Sequence, residues 1–68
     1  MTKAQKDYIE WKLNDYASQA EFYGKEADLT AQIASERYSK LLSGWAECLN
    51  VLGIDVRKDD DGKITVKA

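Results

Sequence analysis

The longest apolar pattern in this chain lies in the segment 28–53. Its apolar positions follow one another at steps of three and four residues, the spacing that places side chains on one face of a continuous helix. We therefore expect one long helix over about residues 28–53, ended by a glycine. Its predicted core face contains Tyr38, Leu41, Trp45, Cys48 and Leu52.

A second helical pattern comes earlier in the chain, over about residues 2–24, with Thr2 as a candidate N-cap. The segment 24–28 is the expected turn, in which Gly24 would take a left-handed backbone conformation. So short a connection favours an antiparallel helical hairpin. The alternative is one unbroken helix, because an interior glycine costs only about 1 kcal/mol. The predicted core stripe of the first helix contains Ile9, Leu13, Tyr16 and Tyr23.

Aromatic residues form a second stripe on the first helix. Tyr8, Trp11 and Phe22 lie roughly 140° from the first stripe when each residue advances the helix by about 100°. A helix that packs against one partner needs only one apolar stripe. These three residues are therefore candidates for a partner or oligomer interface. Packing against the C-terminal segment and ordinary partial exposure are the alternatives.

The C-terminal segment 54–67 changes period, because every second residue of its two halves is apolar. This alternation predicts a half-buried β-hairpin. A three-residue loop ending in a left-handed Gly62 would set Val56 opposite Val66 and Asp59 opposite Lys63. The predicted fold class is mainly α, or α+β by strict count: one domain, residues 1–68, in which a two-helix hairpin precedes a short β-hairpin.

The length of the chain limits its core. A chain of roughly 60 residues buries only about 60% of its unfolded surface, and such chains commonly depend on disulfides, a metal or a partner. With one cysteine and no histidine among 68 residues, neither an intrachain disulfide nor a usual zinc ligand set can form. We therefore expect a helical-bundle homo-oligomer, a dimer or larger.

Charge and hydropathy narrow the classes of partner. The net charge is −2, and the twelve acidic and ten basic residues are well mixed, which argues against a nucleic-acid or membrane surface. No apolar run approaches the roughly 20 residues of a membrane span. The first residues lead into no apolar run, which predicts no signal peptide, and together with the free cysteine this favours a cytoplasmic location.

Catalytic and metal chemistry have little support in the sequence. The absence of histidine removes the usual Ser-His and Cys-His pairs, and Cys48 is expected to be a small buried hydrophobic residue. The acidic loop 59–62 resembles part of a calcium-binding EF-hand loop, but Arg57 and Ala68 occupy two positions that need anionic ligands. We predict a hairpin turn there, and no catalytic, cofactor or metal site.

The resulting functional hypothesis is a small non-enzymatic protein that self-associates and binds another protein as an adaptor or inhibitor. Surplus Trp and Tyr support it, because both are enriched at binding hot spots, and the size suits a bacterial or phage accessory protein. One alternative is a small anionic ligand, such as a nucleotide, held at a subunit interface. A second alternative is weak nucleic-acid binding. The candidate contacts for an anionic ligand are Arg37, Lys40 and Arg57.

Overall fold

The computed structural model describes residues 1–67 and contains two helices and a two-stranded antiparallel sheet. The elements in chain order are α1 (Lys3–Gly24), α2 (Leu29–Val51), β1 (Asp55–Lys58) and β2 (Ile64–Lys67). The mainly helical architecture predicted from the sequence is confirmed. Within residues 1–67, neither helix combines the length and the apolar character that crossing a membrane requires.

Capping side chains fix the starts of both helices. Thr2 and Gln5 form a capping box: the Gln5 amide donates to Thr2 Oγ1 over 3.1 Å, and the Thr2 amide donates to Gln5 Oε1 over 2.9 Å. The side chain of Asp28 caps α2 by accepting a hydrogen bond from the Thr30 amide over 3.3 Å. The chain therefore breaks between the helices, and the alternative of one unbroken helix is wrong.

The end of α2 turns the chain back onto the helices. Gly53 has a φ of +81°, its amide donates to the Asn50 carbonyl over 3.0 Å, and the Ile54 amide donates to the Leu49 carbonyl over 2.9 Å. These two bonds define a Schellman motif, in which a left-handed glycine satisfies the last helical carbonyls. Ile54 then packs against the core cluster that contains Leu49, and β1 begins at the next residue.

Gly24 differs from its prediction. It is the last residue of α1 and has no positive φ, because the right-handed Lys25 caps the helix instead. The structure gives another reason for a small residue here: a Cβ on Gly24 would lie 3.2 Å from Ser35 Oγ. That hydroxyl donates to the Ala20 carbonyl over 2.7 Å. Small side chains thus let the two helices approach closely beside the turn.

The β-hairpin has the predicted register. Val56 is paired with Val66, and the Asp59 amide donates to the Lys63 carbonyl over 2.9 Å. Gly62 has a φ of +85°, as a three-residue loop requires at this position. The Asp59 carboxylate accepts a 2.8 Å hydrogen bond from the Lys63 amide. The acidic loop therefore uses its first carboxylate to hold the turn. Ala68, the last position in the EF-hand comparison, lies outside the described residues.

The core lies between the helix pair and the inner face of the hairpin. Four side chains are buried, one from each helix and two from β2. A partly buried shell surrounds them, contributed by both helices and by the hairpin. The buried residues are Leu13, Leu49, Ile64 and Val66. The shell consists of Ile9, Ala17, Leu42, Trp45, Ile54 and Val56.

The face of α2 that contacts the core is not the one predicted. Leu41 is 44% exposed, Leu52 is 73% exposed, and Cys48 is also exposed; these three predictions are wrong for the single chain. Leu42 and Leu49 lie inside instead. The hairpin adds a third packing surface on the side of Leu42 and Leu49. The inward face of α2 is therefore rotated by about 50° around the helix from the centre of the predicted stripe. This rotation is half of the roughly 100° that separates two successive residues.

Candidate functional site

Polar side chains of α1 fix the position of the hairpin. Asn14 Nδ2 donates to the Ile64 carbonyl and Asn14 Oδ1 accepts from the Ile64 amide, each over 2.8 Å. Glu10 Oε2 accepts from the Val66 amide, also over 2.8 Å. These bonds satisfy the outer edge of β2, which would otherwise be open to pairing with another chain. Glu10 and Asn14 are two of several polar residues in the first helical segment, and no local sequence pattern marks them as groups that bind the hairpin.

The opposite side of the helix pair is left uncovered by the hairpin. Two residues further along α1, Tyr16 is rotated by about 200° from Asn14 and points away from the hairpin. We call this side the open face. It contains seven residues predicted as core, of which four are partly buried and three, all in the part of the chain that follows Tyr38, are exposed. Its residues are Tyr16, Tyr23, Tyr38, Leu41, Trp45, Cys48 and Leu52.

A row of aromatic rings runs across the open face. The Trp45 ring meets Tyr16 edge to face at a centroid distance of 5.7 Å, and Tyr16 lies 6.2 Å from Tyr38. The rings of Tyr38 and Tyr23 are parallel at 6.0 Å, and Phe22 extends the row at 5.2 Å from Tyr23. Such pairs stabilise packing by about 0.5–1.5 kcal/mol each beyond area burial. The row therefore gives this face a preorganised aromatic surface.

Shallow grooves lie at both ends of the open face. One, of about 390 Å³, is lined by residues that include Tyr23, Arg37 and Leu41. The other, of about 360 Å³, lies beside the start of α1, where Tyr8 and Leu52 form part of its apolar wall. Apolar walls at both ends make the open face suitable for side chains of another polypeptide.

The predicted second stripe of α1 is exposed but divided. Tyr8, Trp11 and Phe22 are 54%, 60% and 61% exposed, so the hairpin does not bury them. Tyr8 and Trp11 lie together, with ring centroids 6.1 Å apart, and Lys12 Nζ lies 5.5 Å from the Trp11 centroid. Phe22 instead contacts Tyr23 at the other end of the helix. We refer to Tyr8 and Trp11 as the aromatic pair.

The three cations predicted to hold an anion do not converge. Lys40 forms an ion pair with Glu36 at 4.0 Å, and Arg57 forms one with Asp55 at 3.3 Å. Arg37 lines the groove beside Tyr23 and forms no ion pair among residues 1–67. Of these three predicted contacts, Arg37 is therefore the one whose charge is not paired within residues 1–67.

Reactive groups are sparse in the part of the chain that the structure describes. The Cys48 thiol is exposed, and no three acidic, cysteine or histidine side chains of residues 1–67 are grouped so that they could hold a metal ion. No family model, curated protein or solved structure matches this chain. The exposed surfaces of the chain are therefore the features that bear on its function.

Proposed function

We propose that this protein is a non-enzymatic binding protein that self-associates as a helical bundle and contacts a different protein. The observation that carries the proposal is the extent of aromatic surface outside the core. Among residues 1–67, four side chains are buried, whereas nine large hydrophobic residues are exposed. Large exposed apolar patches on soluble chains commonly mark interaction sites.

Two separate surfaces support two kinds of contact. The open face is long, with its rings held in a row by mutual packing, which suits a helical partner. The aromatic pair is small and lies on the outer side of α1. Tyr and Trp supply much of the energy at protein-binding hot spots. We assign the open face to self-association and the aromatic pair to a target.

A cytoplasmic location belongs to the same proposal. Cys48 is a single exposed thiol, and a reducing compartment keeps such thiols free. In an oxidising compartment it would be open to intermolecular disulfide formation.

The experiment that tests target binding is affinity capture with matched variants. Trp11→Ala should abolish capture of a protein target, because it removes the larger ring of the aromatic pair. Phe22→Ala is the control, since Phe22 has nearly the same exposure, 61% against 60%, and lies at the other end of α1. The captured protein would then be purified and its affinity measured for both variants. Equal loss of affinity in both, or no captured protein at all, would contradict the assignment.

Arg37 supports a second candidate function, the binding of a small anionic ligand. Arg37 lines a groove together with Tyr23 and Thr30, and guanidinium groups bind phosphates well. A thermal-shift series with nucleotides and inorganic phosphate should show stabilisation that Arg37→Gln removes. An unchanged midpoint with every anion would reject this candidate.

A further inference from the structure

The chain exposes more surface than a compact chain of its mass. Its accessible surface is 5165 Å², whereas a compact monomer of this size exposes about 4,300 Å². The excess, about 850 Å², is close to the roughly 800 Å² that one partner buries in a standard interface. The radius of gyration, 12.8 Å, likewise exceeds the about 11 Å expected for this length. The surplus equals one side of a stable dimer contact.

Much of the excess accessible surface on the open face is apolar. On α2 the open face presents Leu41, Cys48 and Leu52 in succession, and on α1 it presents Tyr16 and Tyr23 of the aromatic row. Burial of such surface contributes about 25 cal/mol per Å², so it favours a partner with an equally apolar face. A second copy of this chain offers such a face.

The charges on the α1 side of the open face are self-complementary. Lys12 and Asp15 lie about 40° and 100° around α1 from Tyr16, on the side away from the buried Leu13, and neither forms an ion pair among residues 1–67. If α1 of one copy faced α2 of another, Lys12 and Asp15 of the two copies would lie apart and could not pair with each other. If α1 faces α1 in antiparallel orientation, Lys12 of each copy can lie level with Asp15 of the other.

The residues of α2 at the same level as Lys12 and Asp15 leave room for an antiparallel contact between the two copies of α2. Gly24 lies beside Ser35, and Ile9 shares a groove with Leu49. Interpolating between these two levels places the midpoint of Lys12 and Asp15 level with Gly44. A Cβ on Gly44 would meet nothing within 4 Å, so a second α2 can approach closely there.

We infer that the open face binds a second copy of this chain, with α1 against α1 and α2 against α2, both antiparallel, about a two-fold axis level with Gly44. This inference rests on the self-association in the proposed function and specifies its geometry. Leu41 of each copy then lies level with Cys48 of the other. Tyr8, which lies between Lys12 and Asp15 around α1, enters the contact, whereas Trp11, about 100° from Lys12, stays outside it and remains available to a target.

Cross-linking tests the geometry with controls from the same chain. Leu41→Cys, with the native Cys48 retained, should form disulfide-linked dimers on oxidation, because the two thiols meet across the axis. The wild type and the Leu41→Cys/Cys48→Ser variant should stay unlinked, since identical positions are offset along the helices by about 10 Å and disulfides need Cα atoms within about 7 Å. Linking through Cys48 alone would overturn the antiparallel register.

Charge reversal tests the same contact without cysteine chemistry. Lys12→Glu and Asp15→Lys should each raise the dimer dissociation constant roughly ten-fold, because both symmetric ion pairs become repulsive. The double reversal, Lys12→Glu/Asp15→Lys, should restore the wild-type constant. Sedimentation equilibrium gives these constants, and circular dichroism checks that each variant is folded. Additive weakening in the double variant would overturn the pairing.

The wild-type mass over a dilution series separates this inference from target binding. A dimer of about twice 7.7 kDa is expected. A chain that remains monomeric at every concentration would overturn the dimer, and target capture through Trp11 would then still support the target-binding part of the proposed function. A dimer that captures no other protein would support the inference and contradict that part.

Discussion

The strongest test of the fold is the removal of the Asn14 side chain. Its amide group binds both the amide and the carbonyl of Ile64, at 2.8 Å each, as a neighbouring strand would. It is the main polar link between α1 and the hairpin. Asn14→Ala should therefore loosen the hairpin without changing the helical content of the chain.

The magnitude follows from the bonds that are lost. Two hydrogen bonds to part-buried backbone groups contribute about 0.5–1.5 kcal/mol each, so their loss should cost about 2 kcal/mol in the free energy of unfolding. The change also raises helix propensity, by up to about 0.7 kcal/mol, because Ala is a better helix former than Asn. The net destabilisation should be about 1.5 kcal/mol.

Asn50→Ala is the matched control. Asn50 is an exposed asparagine in the last turn of α2, so the same substitution there gains propensity and loses no bond to the hairpin. Urea unfolding, followed by the far-ultraviolet circular dichroism signal at one protein concentration, gives both values. A difference of less than about 0.5 kcal/mol between the two variants would refute the role of Asn14, since one hydrogen bond contributes at least that much.

Two further substitutions test the core and the end of α2. Leu13→Ala should lower the free energy of unfolding by about 2–5 kcal/mol, because Leu13 is fully buried. Trp45→Ala should lower it less, because Trp45 is only half-buried. The reverse order of the two thermal unfolding midpoints would contradict the core described above. Gly53→Ala should cost about 1 kcal/mol, because its φ is +81°. Gly53→Asn should cost less than Gly53→Ala, since Asn tolerates this conformation better, and equal midpoints for both would refute the strain.

Local patterns in the sequence predicted most of the fold. Alternation and turn chemistry together allowed one register for the hairpin, since a slip by one residue would have turned Val56 outward. Thr2 is predicted as the cap of the first helix because its side chain suits an N-terminus. These features depend on residues close together in the chain, and they agree with the structure.

Features that depend on how the β-hairpin packs against the two helices could not be predicted from local sequence patterns. Periodicity gives the centre of an apolar stripe but not its partner. The docking of the hairpin through Asn14 and Ile64 joins residues 50 positions apart, and no local pattern encodes that contact. Once the hairpin is placed, it draws Leu42 and Leu49 inward and leaves Leu41 and Cys48 outside. The errors in the predicted core face have this single cause.

Because α2 is rotated, one half of the predicted stripe faces the core and the other half faces the open side. The stripe in the sequence is centred between Leu49, which faces the core, and Leu41, which faces the open side. Helix α1 and the β-hairpin cover the half of this stripe that contains Leu49. The half that contains Leu41 points in a different direction around the helix, so the same contacts do not cover it. This second half belongs to the open face, which the proposed dimer would bury. Because the wide arc of α2 is encoded in the same residues that specify the hairpin fold, we expect folding and self-association to be linked in this protein.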